Sequence, residues 1–321
     1  MRVFKKIISI ILRVGISVVL LIFLFRQVDK KSLMEIIRNT DKNLLIWAFL
    51  VYSLSYVFCL YRWEMLLKTA KIHLSLKRVI ISFAGGIFFN LFLPSTIGGD
   101  FVRSIDLAVH TKRPKEVVAT VILDRLSGFV ALVFIALVAL LFGWRIVEDK
   151  SVMLSISIIA AILASILLVS FNNFLFSKVN KLLHSPTAGR IREALKNLHH
   201  EIFIFRHHKK IILYNLILSI LVQAITPITF YITALSMGIK INILYFFIFL
   251  PIITAITLLP ISIGGLGIRE YTTKLFFVKA GVSANLSVAM SLLNSLFIFI
   301  CAGIAGLVYI LTMHHQRPKT S

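Results

Sequence analysis

Acidic residues are scarce in this chain of 321 residues, where 13 Asp and Glu stand against 35 Lys and Arg, a net charge of +22. In a water-soluble protein that imbalance would point to nucleic acid. No basic module interleaved with aromatics occurs, however, and the charges fall mainly between apolar runs, so no nucleic-acid partner is expected. Cysteine is nearly absent as well: Cys59 and Cys301 both lie in apolar stretches, which excludes a disulfide-stapled scaffold. There is no GxxxxGK[ST] phosphate loop and no recognisable Ser, Cys or His nucleophile motif, so no catalytic residue and no cofactor is assigned. Long polar stretches are few. The chain is 59% hydrophobic with a mean hydropathy of +0.94. Several runs reach the roughly 20 apolar residues that cross a bilayer. An all-α polytopic membrane protein is expected; a soluble helical protein would need more polar faces.

Charge places the loops. Arg2, Lys5 and Lys6 precede an apolar run over 7–25 that Arg13 interrupts and that no small-residue cleavage site follows, so it reads as a retained first span. Residues 43–61 form the second span, bounded by Tyr61, Arg62 and Trp63, with Lys68, Lys71, Lys77 and Arg78 marking the cytoplasmic side. A third span covers 117–143, a fourth 152–176, a fifth 211–236 and a last one 286–312. Between 177 and 210 basic residues dominate. Pro186 opens an amphipathic helix over 186–207, with Ile191, Leu195, Leu198, Ile202 and Phe205 on one stripe, suited to a headgroup layer or to a neighbouring subunit. His199, His200, His207 and His208 lack the Cys or acidic company of a metal site and read as exposed basic surface, so no metal is expected.

One stretch occurs twice. Leu93-Pro94-Ser95-Thr96-Ile97-Gly98-Gly99-Asp100-Phe101-Val102-Arg103 recurs 166 positions later as Leu259-Pro260-Ile261-Ser262-Ile263-Gly264-Gly265-Leu266-Gly267-Ile268-Arg269. Pro stops an incoming helix, glycines permit a tight reversal, and a second helix restarts with an Arg in its first turns. These breaks predict two re-entrant hairpins, over 79–110 and 243–281. The whole reads as about six full spans plus two hairpins in an inverted-topology repeat, the halves being 1–145 and 150–314. The alternative topology makes 79–99 and 241–263 full spans.

Intramembrane charge costs several kcal/mol unless paired or wet, and it marks a site by default. Arg103 and Arg269, with the hydroxyls of Ser95, Thr96 and Ser262 and the breaks at Gly98, Gly99, Gly264 and Gly265, form a substrate-binding set. It has the donors and positive charge that hold an anionic headgroup. Asp100, Asp124, Arg125 and Glu270 would set charge balance or coupling. The competing reading is purely structural pairing: Arg103 with Asp100 or Asp106, Arg269 with Glu270, and Asp124 with either arginine. Adjacent charges such as Asp124-Arg125 diverge on a helix and should reach different partners.

With those residues in view, the chain resembles the flippase-like transmembrane domain family of lysylphosphatidylglycerol synthases. The resemblance rests on Leu93 to Asp100 with Arg103, on Asp124-Arg125, and on Pro260 to Glu270, and it extends over nearly the whole chain. It implies a lipid-translocating domain whose re-entrant helices line a central cavity, and it carries over Asp100, Arg103, Asp124, Arg125, Arg269 and Glu270. The two-domain synthases continue into a cytosolic aminoacyl-transferase domain. This sequence ends at Ser321, so lysine transfer is not carried over. The expectation is a transporter in the plasma (inner) membrane of a prokaryote, both termini cytoplasmic. It would move an anionic phospholipid or a polyprenyl-phosphate-linked precursor between leaflets, and a homo-oligomer is left open. The alternatives are a membrane transferase acting on a lipid-linked substrate and a non-transporting scaffold subunit.

Overall fold

The computed structural model describes residues 22, 30–93, 98–145, 150–171, 177, 208–259, 262 and 264–314. Apart from residue 22, the span expected over 7–25 lies outside the described residues, as do the amphipathic helix over 186–207, Ser95 and Thr96. What is described is all helix: α1 Lys30–Asn39, α2 Lys42–Thr69, α3 Leu76–Phe89, α4 Gly98–Thr111, α5 Pro114–Gly143, α6 Lys150–Phe171, α7 Lys209–Ser236, α8 Leu244–Thr257, α9 Ile268–Lys279 and α10 Ala284–His314. Among the described residues no strand occurs.

Local signals set the helix ends. Asp41 caps α2, its carboxylate accepting from the backbone N–H of Asn43 at 2.8 Å and of Leu44 at 3.2 Å. Pro114 sits at the first turn of α5, where a missing N–H costs nothing. Among the described residues five helices are long and apolar enough to cross a membrane: Lys42–Thr69, Pro114–Gly143, Ser151–Val169, Lys209–Ser236 and Ala284–Thr312. At 28 residues, α2 is about 42 Å long, beyond the ~30 Å hydrocarbon core. The 14-residue α3 and α4 are each only about 21 Å long.

α2 runs on through Arg62 and Trp63, which the sequence pattern set at the membrane boundary. Both are buried, at 6% and 0% exposure. α2 packs antiparallel against α7: the N–H of Asp41 donates to the carbonyl of Ser236 at 2.8 Å, and farther along Arg62 reaches Ser219. α3 lies on α10, with Phe89 and Tyr309 ring centroids 5.8 Å apart, and α8 lies on α5, where Gly143 makes room for Ile248.

α3 and α4 form a hairpin. Its open end is fastened by the Arg78–Asp106 ion pair at 2.8 Å and closed over by Arg113, which donates to the Lys71 carbonyl at 3.0 Å. That end adjoins the C-terminal turns of α2 through a core of Trp63, Leu67, Ile72, Val79, Leu107 and Val117. α8 and α9 repeat the arrangement around Phe246, Phe277, Val282 and Met290. The outer face of α4 carries Phe101, Ile105 and Val109, 67%, 49% and 75% exposed and spaced by four, while Arg103 and Leu107 face inward. An apolar outer stripe of this kind suits lipid, not water.

The hairpin closes because Gly86 and Gly99 meet backbone to backbone. A Cβ on Gly99 would collide with the Gly86 carbonyl oxygen. Gly99→Ala is therefore expected to destabilise the protein by roughly 1–3 kcal/mol, as overpacking does. Gly303, whose Cβ would meet nothing within 4 Å, should gain up to about 1 kcal/mol from Ala. Thermal unfolding in detergent micelles checks the pair, and equal melting temperatures would refute the close approach.

Candidate functional site

Five charged residues from three helices converge beside the first break. Arg103, on the inner face of α4, places Nη2 2.9 Å from Asp124 Oδ2 and 2.9 Å from Asp100 Oδ1. Arg62 from α2 donates Nε to the other Asp124 oxygen, Oδ1, at 2.6 Å and Nη1 to Ser219 Oγ at 2.9 Å. Arg125 Nε donates to Asp100 Oδ2. Asp124 and Arg125, adjacent on α5, thus diverge to different partners. Among the described residues the network carries three positive and two negative charges.

Two aromatic rings hold Arg103 in place. Its Cζ lies 4.6 Å from the Trp63 ring centroid and 5.7 Å from that of Phe83. Trp63 is oriented in turn by its indole N–H, which donates to Thr120 Oγ1 at 3.3 Å. Stacking of this kind favours a guanidinium in a site removed from water. Arg103 is only 4% exposed, yet its Nε and Nη1 have no hydrogen-bond partner among the described residues. Buried donors are ordinarily satisfied, so two on one guanidinium call for a ligand or water.

These residues line a cavity of about 250 Å³ between α2, α3, α4, α5 and α7. Arg62, Gly99, Asp100, Arg103, Asp124 and Arg125 contribute to its wall, along with Asn90, whose Oδ1 accepts from the Gly99 N–H at 3.2 Å. Gln223 from α7 also lines it and donates to the Gly128 carbonyl at 3.0 Å. Gly98 begins α4 without being part of the wall.

The second break is built differently. Gly264, Gly265 and Gly267 all have positive φ, at 59°, 78° and 81°, which glycine alone adopts without strain. Glu270, fully buried, accepts from the Gly267 N–H at 2.7 Å and from Ser295 Oγ at 2.7 Å. Gly267 has no side chain to return the bond, so this is half of a capping box. Arg269 makes no ion pair with Glu270 among the described residues. It donates to the Gly264 carbonyl at 2.9 Å and to Ser295 Oγ at 3.2 Å. Ser262 is buried at 2% exposure, and its hydroxyl has no partner among the described residues. Arg269, Glu270, Ser262, Gly264 and Gly265 are not among the residues lining the cavity. The two breaks nevertheless touch, since a Cβ on Gly264 would lie 3.6 Å from the Leu91 carbonyl oxygen.

Asp106, weighed from sequence as a partner of Arg103, pairs with Arg78 instead. Arg62 is the member of the network that sequence reasoning missed. Its neighbours Tyr61 and Trp63 disguise it as a boundary residue, and its partner Asp124 is 62 positions away. A charged residue one turn inside an interface pattern is the only local hint.

Asp124 neutralises two buried guanidiniums, so Asp124→Leu should destabilise the fold by roughly 3–5 kcal/mol, the usual cost of orphaning a buried charge. Adding Arg62→Met to that variant should recover part of the loss. Unfolding in a detergent titration measures both, and a double variant no more stable than Asp124→Leu alone would contradict the pairing.

Comparison with known proteins places this architecture. The family model described as the lysylphosphatidylglycerol synthase TM region matches residues 10–306. A UPF0104 membrane protein of Pyrococcus horikoshii is 24% identical over 330 residues, covering 96% of this chain and 97% of that protein. Two UPF0104 membrane proteins of Methanothermobacter thermautotrophicus are 23% and 21% identical, over 92% and 90% of this chain and 93% and 88% of their own lengths. Long apolar helices and this match agree on an integral membrane protein. The chain belongs to the family of lysylphosphatidylglycerol synthase transmembrane regions.

Proposed function

We propose that the protein is a flippase-like transporter that moves an anionic lipid or lipid-linked precursor between bilayer leaflets, with Arg103 making the first contact to the headgroup. One observation carries this reading: Arg103 lines a cavity inside the helical bundle, buried, with two guanidinium nitrogens unpartnered and a positive surplus around it among the described residues. A phosphate offers the acceptors and the charge that such a site lacks. Asp100 and Asp124 keep the arginine in position, and Arg62 and Arg125 keep the carboxylates from repelling the ligand. Arg269 and Glu270 hold the turn of the second break, which abuts the first.

In this reading the hairpins 79–110 and 243–281 are re-entrant and the halves 1–145 and 150–314 are an inverted repeat. Three features support that. The arms of the first hairpin are about 21 Å long, too short for the ~30 Å hydrocarbon core. Both its ends lie beside the C-terminal turns of α2, as in a segment that enters and leaves by one face. A shift of 166 positions carries α2 at 42–69 nearly onto α7 at 209–236, and these two helices pack antiparallel. A two-fold relating them therefore runs across the helix axes, which in a bilayer is the inverted arrangement. The basic loops support cytoplasmic termini, and the reading takes the inner membrane of a prokaryotic cell as the site of action.

Proteoliposomes with fluorescent phosphatidylglycerol in one leaflet test the proposal, scored by the fraction reached by a membrane-impermeant quencher. Arg103→Gln should slow translocation about ten- to a hundredfold, since hydrogen bonds to a charged group contribute roughly 1.5–3 kcal/mol. Wild-type translocation by a variant with unchanged melting temperature would overturn it.

A further inference from the structure

A second cavity lies on the opposite face of α5. It measures about 510 Å³ and is walled by Leu66 of α2, Leu126 and Val130 of α5, Leu167 of α6 and Leu216 of α7. That size falls in the range of ligand pockets, roughly 300–1,000 Å³, and is larger than the voids a packed interior keeps. The wall is apolar apart from Ser127 and Asn215, and the Ser127 hydroxyl already donates to the Asp124 carbonyl at 3.0 Å. Asn215 lines the cavity, is 3% exposed, and its side-chain NH₂ has no hydrogen-bond partner among the described residues. A buried amide donor in a hydrocarbon-lined cleft demands an acceptor that arrives with an apolar body.

The two cavities share a seam. On α7, Asn215 and Leu216 precede Val222 and Gln223 by seven residues, which is one helical stripe, with Ser219 between them. On α2, Leu66 follows Arg62 by one turn. Between the two stretches of wall on α2 and α7 sits the hydrogen bond from Arg62 to Ser219, at 2.9 Å, and the same guanidinium holds Asp124. Charged donors in one cavity and, in the other, a hydrocarbon slot with the Asn215 amide at its wall match the two ends of an amphiphile.

We propose that this cavity binds a hydrocarbon chain of a membrane lipid, with Asn215 donating to the oxygen that links chain to backbone, ester or ether. That the chain belongs to the lipid whose headgroup enters the polar cavity rests on the function proposed above. The chain site itself does not.

The test is photolabelling of the full-length protein in phosphatidylcholine nanodiscs. The probe is phosphatidylglycerol carrying a mid-chain diazirine, and labelled residues are mapped by mass spectrometry. Label should concentrate on 126–130 and 215–216 over the outward-facing Leu141 and Leu307, which are 74% and 63% exposed. Leu216→Trp and Val130→Trp, two independent ways of filling the slot, should abolish the enrichment, and Asn215→Leu should weaken it roughly three- to tenfold. Label spread evenly over outward-facing leucines would overturn the chain site, as would Trp variants that fold and label like wild type. A Leu216→Cys variant that cross-links two copies of the chain while excluding the probe would also overturn it. A phosphatidylcholine probe enriched as strongly as phosphatidylglycerol would remove the headgroup reading and leave the chain site standing.

Discussion

The structure depends on Arg103 being held between two carboxylates beneath an indole ring, only 4% exposed. A guanidinium in that setting is tolerable only if its charge is answered nearby and its donors are used. Asp100 comes from the same helix three residues earlier, and Asp124 comes from α5. Arg62, from α2, then answers the second Asp124 oxygen, and Trp63 beside it supplies the ring. Long α2, the Gly86–Gly99 contact and the short arms of the first hairpin bring these groups to one place.

The two copies of the repeated motif share backbone logic and differ in chemistry. Both use glycine where a helix restarts. In the first copy the restart is followed by a buried ionic network that opens on a cavity. In the second, three glycines at positive φ make the turn, and the charges serve it: Glu270 caps the helix and Arg269 clasps the Gly264 carbonyl. The positions 166 along from Asp100, Asp124 and Arg125 are Leu266, Met290 and Ser291, so the second copy has no counterpart to the network. Charge is concentrated on one side of the contact between the breaks.

Much of this was legible in the amino-acid pattern. Apolar length announced the membrane helices, paired Pro and Gly announced the breaks, and the adjacency of Asp124 and Arg125 announced divergent partners. Arg62 was not legible, because Tyr61-Arg62-Trp63 followed by lysines has the composition of an interfacial belt. Whether such a residue snorkels outward or turns inward is decided by a carboxylate far away in the chain, which no local pattern reports. Likewise Arg269 and Arg103 look equivalent in sequence. Only packing separates them: Arg103 lines the cavity, while Arg269 donates to the Gly264 carbonyl. The divided polar and apolar chambers depend on opposite faces of α5 meeting different neighbours, which periodicity alone does not specify.

The central claim is that the buried arginine selects lipids by headgroup charge. Mass spectrometry of the lipids that co-purify with the wild-type protein and with Arg103→Met tests it most directly. Anionic lipids enriched over the bulk membrane in the wild type, and reduced to bulk proportions in the variant, are the predicted result. A wild-type protein whose retained lipids simply mirror the membrane it came from would contradict the account.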